Sequence, residues 1–281
     1  MYKSKALKTN FIMNTILTLS SFVFPLITFP YVSRILLPEG TGRVSFATSV
    51  VTYFLLLSQL GIPTYGIRAC ARVRDDRKAL SCVVHELLAI NLLMSVLAYL
   101  LLGGCVFLIP KLRVEKTLIF VISFTIILNA IGMEWLYKAL EQYTYITIRS
   151  VIFKAIAVIA MLLMVRQKSD YIVYGALTIF AASASNICNF VHAHKYIDFF
   201  LKEKCDLKKH LKPVLVFFAM SCATVIYTNL DTVMLGLMKG NVDVGYYNAA
   251  VKIKGILLGV VTALGTVMLP RLSYYVEHGE K

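Results

Sequence analysis

The apolar residues of this chain are gathered into blocks of about 20 residues or more, the length that crosses ~30 Å of hydrocarbon at ~1.5 Å per residue. Of the 281 residues 58% are hydrophobic and 16% charged. A soluble domain carries roughly 45–50% apolar and 25% charged residues, so the chain is read as an integral membrane protein. About eight blocks are long enough to span, near residues 10–37, 42–67, 79–109, 117–140, 148–165, 171–192, 211–238 and 244–269. The fold class expected is all-α, a polytopic helical bundle. The third block exceeds what a bilayer needs, which predicts a tilted span or one that extends into water. The first block follows Lys3, Lys5 and Lys8 but is too long for a signal sequence and holds Pro25, Pro30 and Arg34, so it reads as a retained span.

The net charge of +14 sits between the blocks and not on one module, which argues against nucleic acid. One set of connections, with the two termini, carries about 18 Lys and Arg against about 8 on the other. The positive-inside rule then places both termini in the cytoplasm. The six cysteines form no CxxC and no metal-ligand spacing, so neither zinc nor a disulfide is expected. No nucleophile elbow, phosphate loop or other enzyme constellation is present, and no cofactor is expected.

The longest polar stretch divides the chain into a six-helix lobe at 1–196, a linker at 197–210 and two further helices at 211–281. The last part echoes the first at an offset of about 200 residues, with Leu37 to Gly42 matching Leu237 to Val242. Transporters are often built from such repeats, with the substrate site between halves.

Ionisable residues inside spans are the candidates for function, because a charge at mid-bilayer costs ~2.5–3.5 kcal/mol and persists where it meets a partner or a wet cavity. Asp231 and Lys252 lie about ten residues on either side of a turn centred near Asn241 and Val242, which predicts an ion pair or a cavity-lining pair at similar depth. Lys154, about two turns into the fifth block, is either a cavity cation or one that reaches back to the interface. Arg34 and Arg68 are interface anchors or cavity cations. Ser183, Asn186 and Asn189 form a polar stripe that can glue helices or bind sugar. Glu134 and Lys138, at i and i+4, form a helix ion pair, structural or acting as a gate.

The segment from Phe120 to Ser150 reads as a span leaving the bilayer through a belt containing Trp135, Tyr137, Tyr143 and Tyr145, then turning back at once. Together with Tyr31 to Gly40, Leu60 to Arg68, Tyr227 to Gly236 and Val244 to Ala250, it resembles the polysaccharide repeat-unit flippases of Wzx/RfbX type. These belong to the MOP superfamily, which also holds the MATE-type multidrug extruders and the lipid II flippase. The resemblance implies a MOP/MATE-like bundle in the bacterial inner membrane. Its implied function is to carry an undecaprenyl-pyrophosphate-linked oligosaccharide to the outer leaflet by alternating access, for O-antigen, capsule or exopolysaccharide. It also implies a polymerase and a chain-length regulator as partners. A cation on the eighth helix faces the cavity in lipid II flippases, and Lys252 stands near that place. The family has about 12 to 14 spans, so the chain is expected to hold one lobe and the first two helices of another. The competing readings are a multidrug or cation antiporter on the same fold and an inactive fragment or non-transporting scaffold.

Overall fold

The computed structural model describes residues 2–199, 206–255 and 257–258. Among these, every regular element is helical, and five helical runs are long and apolar enough to cross a membrane. The protein is an all-α polytopic membrane protein. Leu93, Val96 and Leu100 on one helix and Ile152, Ile159 and Leu163 on another are exposed, the outward-facing apolar surface that lipid requires.

The first helix, α1 (Tyr2–Gln59), has two arms that fold back on each other at Leu37 (φ 56, ψ 177). Pro38 dictates the break: its ring disfavours a helical Leu37, while its missing N–H costs nothing at the start of the second arm. The chain then breaks at Leu60 and Gly61 before α2 (Ile62–Arg72). The second block is therefore not one continuous span. A Cβ on Gly61, where φ is +75°, would come within 2.5 Å of the Phe218 nitrogen, so the break admits the backbone of a later helix.

Helix α3 (Arg77–Leu108) is followed by the short α4 (Pro110–Val114) and by α5 (Lys116–Gly132) and α6 (Glu134–Ala139). The fourth block is thus interrupted at Met133 (φ 41). Helix α7 (Tyr143–Met164) starts five residues before the expected boundary and takes in Tyr143 and Tyr145 of the expected belt. Next come α8 (Tyr171–Ile179), a π-helical turn at Phe180–Ala184 and α9 (Ser185–His192). Helix α10 (Lys208–Met238) begins inside the stretch read as a linker, and α11 covers 241–255. The eighth block beyond residue 258 lies outside the described residues.

One end of the bundle, here called the basic end, carries Arg74 paired with Glu141 (2.8 Å), Arg77 with Asp198 (2.7 Å) and Lys138 with Glu134 (2.7 Å). The first arm of α1 and α7 run parallel from this end in constant register. Thr147 donates to the Met13 carbonyl (2.9 Å), Lys154 to Ser20 (2.9 Å), and Tyr31 to the Val165 carbonyl (3.0 Å), each pair 134 residues apart.

At the opposite end the tips of the α1 and α10–α11 hairpins touch through glycine. A Cβ on Gly42 would stand 1.7 Å from the Asn241 carbonyl oxygen, and one on Gly245 would stand 1.9 Å from that of Pro38. Pro38 and Gly42 are spaced as Asn241 and Gly245 are, so the contact is reciprocal, as across a two-fold axis.

Candidate cavity site

A cavity of about 370 Å³ lies between the first arm of α1, the middle of α7, α8 with its π-helical turn, and α11. Its wall is largely apolar, from residues such as Phe24, Pro25, Phe29, Ala157 and Met161. The small residues Ala181 and Ala182 of the π-helical turn face it, and such turns recur at functional sites. Two cations enter it. The Lys154 ammonium donates to Ser20 Oγ (2.9 Å) and Ser21 Oγ (3.0 Å), and it lies 5.9 Å from the Phe24 ring. The Lys252 ammonium stands 4.8 Å from the Phe29 ring. Phe24 and Phe29 are five residues apart on α1, a rise of about 7.5 Å, so the two ammonium groups address different depths of one concavity. No carboxylate lines the cavity among the described residues. Two poorly neutralised cations above an apolar wall make a place for a multiply charged anion attached to a hydrocarbon chain.

Asp231 and Lys252 do not pair. Asp231 accepts a hydrogen bond from the Tyr247 hydroxyl (2.7 Å). That bond centres the hairpin at Lys239, about two to three residues earlier than the turn expected from the sequence, which carries Lys252 about 7.5 Å further from the tip than Tyr247.

The other candidates are dispersed. Arg34 is exposed and makes no hydrogen bond or ion pair among the described residues. Arg68 is exposed at the basic end, 5.0 Å over the Phe217 ring. Asn186 packs against Gly132, and the fully buried Asn189 donates to the Gly132 carbonyl (2.7 Å), while Asn129 donates to Ser183 (3.1 Å). This stripe therefore holds α9 against the break at Met133, away from the cavity wall. Glu134 and Lys138 form their pair at the basic end, both partly exposed. Trp135 and Tyr137 of the expected belt are buried instead of facing an interface, because the turn tucks under α9 and α2. Trp135 lies on Gly66, and the Tyr137 hydroxyl donates to the Asn189 carbonyl (2.6 Å).

Sequence reasoning missed the buried ionisable groups Arg149, Glu86, Glu115 and His210. Arg149, 6% exposed, donates to the Ser185 carbonyl (2.9 Å) and leaves Nε and Nη2 without a partner. Glu86, 1% exposed, is bonded to His210 and Lys209 of α10. Arg149 sits at the very start of the fifth block and counted only toward the basic side of the membrane. Glu86, inside the long third block, was the signal available.

Residues 7–276 match the family described as "Polysaccharide biosynthesis protein". The chain belongs to that family. It is 22% identical over 274 residues to an Escherichia coli (strain K12) protein named "Putative O-antigen transporter", covering 95% of this chain and 65% of that protein. It is 26% identical over 270 residues to a Shigella dysenteriae protein of the same name, covering 95% and 67%. This family member thus spans about two thirds of the length of the curated relatives it matches. No solved structure matches it.

Proposed function

We propose that this polysaccharide biosynthesis family member acts in the translocation of a lipid-linked oligosaccharide across the bacterial inner membrane. The observation that carries the reading is the pair Lys154 and Lys252 in one apolar concavity. A polyprenyl pyrophosphate joins a multiply charged anion to a long hydrocarbon, which is the chemistry that such a wall and two ammonium groups would take. The name of both relatives, "Putative O-antigen transporter", points to the same substrate class. The work is transport and not catalysis. Residues 1–196 form the first lobe, 197–210 a linker, and the helices from 211 onward begin a second lobe, with the cavity opening to one side of the membrane at a time. The basic end faces the cytoplasm, with Glu134–Lys138 as a gate on that side and Arg34 and Arg68 flanking the path. A multidrug or cation antiporter would want a carboxylate in this cavity, and among the described residues none lines it.

The test is exchange of a fluorescent polyprenyl-pyrophosphate oligosaccharide in proteoliposomes, read as the fraction reached by an impermeant quencher. The wild type is expected to equilibrate the leaflets, and a Lys154→Gln/Lys252→Gln variant to fail. Equal exchange by the variant would overturn the assignment of the cavity.

A further inference from the structure

The cavity uses neither the buried carboxylate of α3 nor the buried imidazole of α10, and those two meet at the basic end. Glu86 Oε2 accepts from His210 Nε2 (2.7 Å) and from the Lys209 ammonium (2.8 Å). Its Oε1 accepts from the Asp206 backbone N–H (2.8 Å) and lies 3.6 Å from Cys82 Sγ. The second imidazole nitrogen, His210 Nδ1, lies 2.8 Å from the Tyr65 hydroxyl of α2. Glu86 and His210 are 1% and 3% exposed. One imidazole therefore joins three helices: α10 carries it, α3 accepts from one nitrogen and α2 meets the other.

This is the ionic tie between α10 and the six-helix lobe among the described residues. The remaining contacts of α10 with that lobe are apolar or cation–π, with Gly236 under the Phe46 ring, Val214 in the core, Phe217 and Phe218 against Gly61, and Arg68 over the Phe217 ring. Beside the tie, a second concavity of about 400 Å³ separates α1 and α2 from α10, lined by Gln59, Thr64, Phe217, Ser221 and Thr224 among others. The interface there is only partly filled, so the polar knot shares the basic end of α10 with the packing of Val214 and Phe218 against the core.

The knot can hold one more proton without losing a partner. With a neutral ring, Nε2–H donates to Glu86 and Nδ1 accepts from Tyr65 O–H. With a second proton on Nδ1, both nitrogens donate, and Tyr65 turns its hydroxyl hydrogen outward, which its partial exposure permits. The added charge faces Glu86, which favours it, and Lys209 and Arg72, which oppose it. Asp206, Cys82 and Cys70 are the other titratable groups coupled to Tyr65, Glu86 or Lys209; the packed elements also carry Arg68, over the Phe217 ring, Arg77, Lys78 and His85 on α3, and Lys208 and Lys212 on α10. A charged imidazole against a buried carboxylate is a stronger tie than a neutral one, since the hydrogen bond to the carboxylate then also carries the attraction between opposite charges.

We propose that Glu86, His210 and Tyr65 form a proton-binding latch: a proton taken up by His210 holds α10 against α3, and its release frees the basic end of α10. The geometry of the knot carries this by itself. The value of the latch to transport rests on the flippase reading, because freeing α10 there would open the cleft between lobes on the cytoplasmic side.

Spin labels at Lys78→Cys and Lys212→Cys, in a full chain whose six native cysteines are replaced, read the separation of α3 and α10 by pulsed electron–electron resonance. No sugar lipid is present, so the outcome is independent of the transport assay. As the buffer is taken from mildly acidic to mildly alkaline, the population is expected to move from the short to the long distance. His210→Gln retains a donor for Glu86 but cannot gain a proton, and is expected to show a distribution that pH does not move. Tyr65→Phe is expected to keep the pH response, since it leaves the His210–Glu86 bond in place. A wild-type distribution unmoved by pH would overturn the latch, and so would a His210→Gln variant that still responds. Glu86→Gln is expected to give the long distance throughout. Should that variant fail to fold, the wild type and His210→Gln still decide the matter.

Discussion

Substituting alanine for Gly42 puts a methyl group 1.7 Å from the Asn241 carbonyl oxygen and 2.8 Å from the Gly245 nitrogen. Ordinary contact begins near 3.4 Å, so the two hairpin tips would have to part by about 1.7 Å along that direction. Both obstructing atoms are backbone, and no side chain can rotate away. Overpacking of this kind costs about 1–3 kcal/mol, and the reciprocal Gly245→Ala, 1.9 Å from the Pro38 oxygen, should cost a similar amount. Gly103 and Gly104 supply the control. They lie within α3 with nothing within 4 Å of a built Cβ, so alanine there should stabilise by about 0.5–1 kcal/mol through helix propensity alone. Thermal unfolding of the purified protein in detergent should therefore move in opposite directions for the same chemical change, down for positions 42 and 245 and up for 103 and 104. A Gly42→Ala protein that melts at or above the wild type would show that the tips do not touch, and the reciprocal contact between the first and last hairpins would fall with it.

Three further outcomes follow from the site geometry. Asn189→Ala removes the donor to the buried Gly132 carbonyl and should cost about 1–3 kcal/mol in the same melting assay, whereas a stripe that served only sugar binding would melt unchanged. Asp231→Asn keeps an acceptor for Tyr247, so it should cost less than about 1 kcal/mol, and a double-mutant cycle with Lys252→Met should show coupling near zero; a coupling above about 1 kcal/mol would restore the ion pair. Arg149→Met replaces a buried guanidinium that has two unpartnered donors by an apolar chain of similar length, and should not lower the melting temperature, while a drop of several degrees would mean that the guanidinium is satisfied in the folded protein.

Helix placement was legible in the sequence because hydrocarbon demands long apolar runs, and the bounds of α3, of α10 and of the run from α8 to α9 fall close to the blocks read from hydropathy. Interruptions were less legible. The break at Gly61 is where α10 approaches in space, and the one at Met133 is held by Asn189, 56 positions away, so each depends on partners far along the chain. The same holds for the site. Lys154 could be singled out from its depth in an apolar block, but that Ser20 and Ser21 receive its protons depends on the parallel register of α1 and α7. The misplaced Asp231–Lys252 pair came from an error of about two to three residues in the turn, enough on a helix to exchange one neighbour for another. Trp135 and Tyr137 have the composition of an interfacial belt, but tertiary cover from α9 and α2 made them core.

The most direct test of the central claim is the affinity of the purified protein for farnesyl pyrophosphate, a short isoprenoid carrying the same anionic group, measured by isothermal titration in detergent. Lys154 and Lys252 each offer a charge-assisted hydrogen bond worth about 1.5–3 kcal/mol, so Lys154→Gln and Lys252→Gln should each weaken binding by about tenfold or more, and added salt should weaken the wild type as well. If both variants bind as tightly as the wild type, the cavity between α1, α7 and α11 is not the pyrophosphate site.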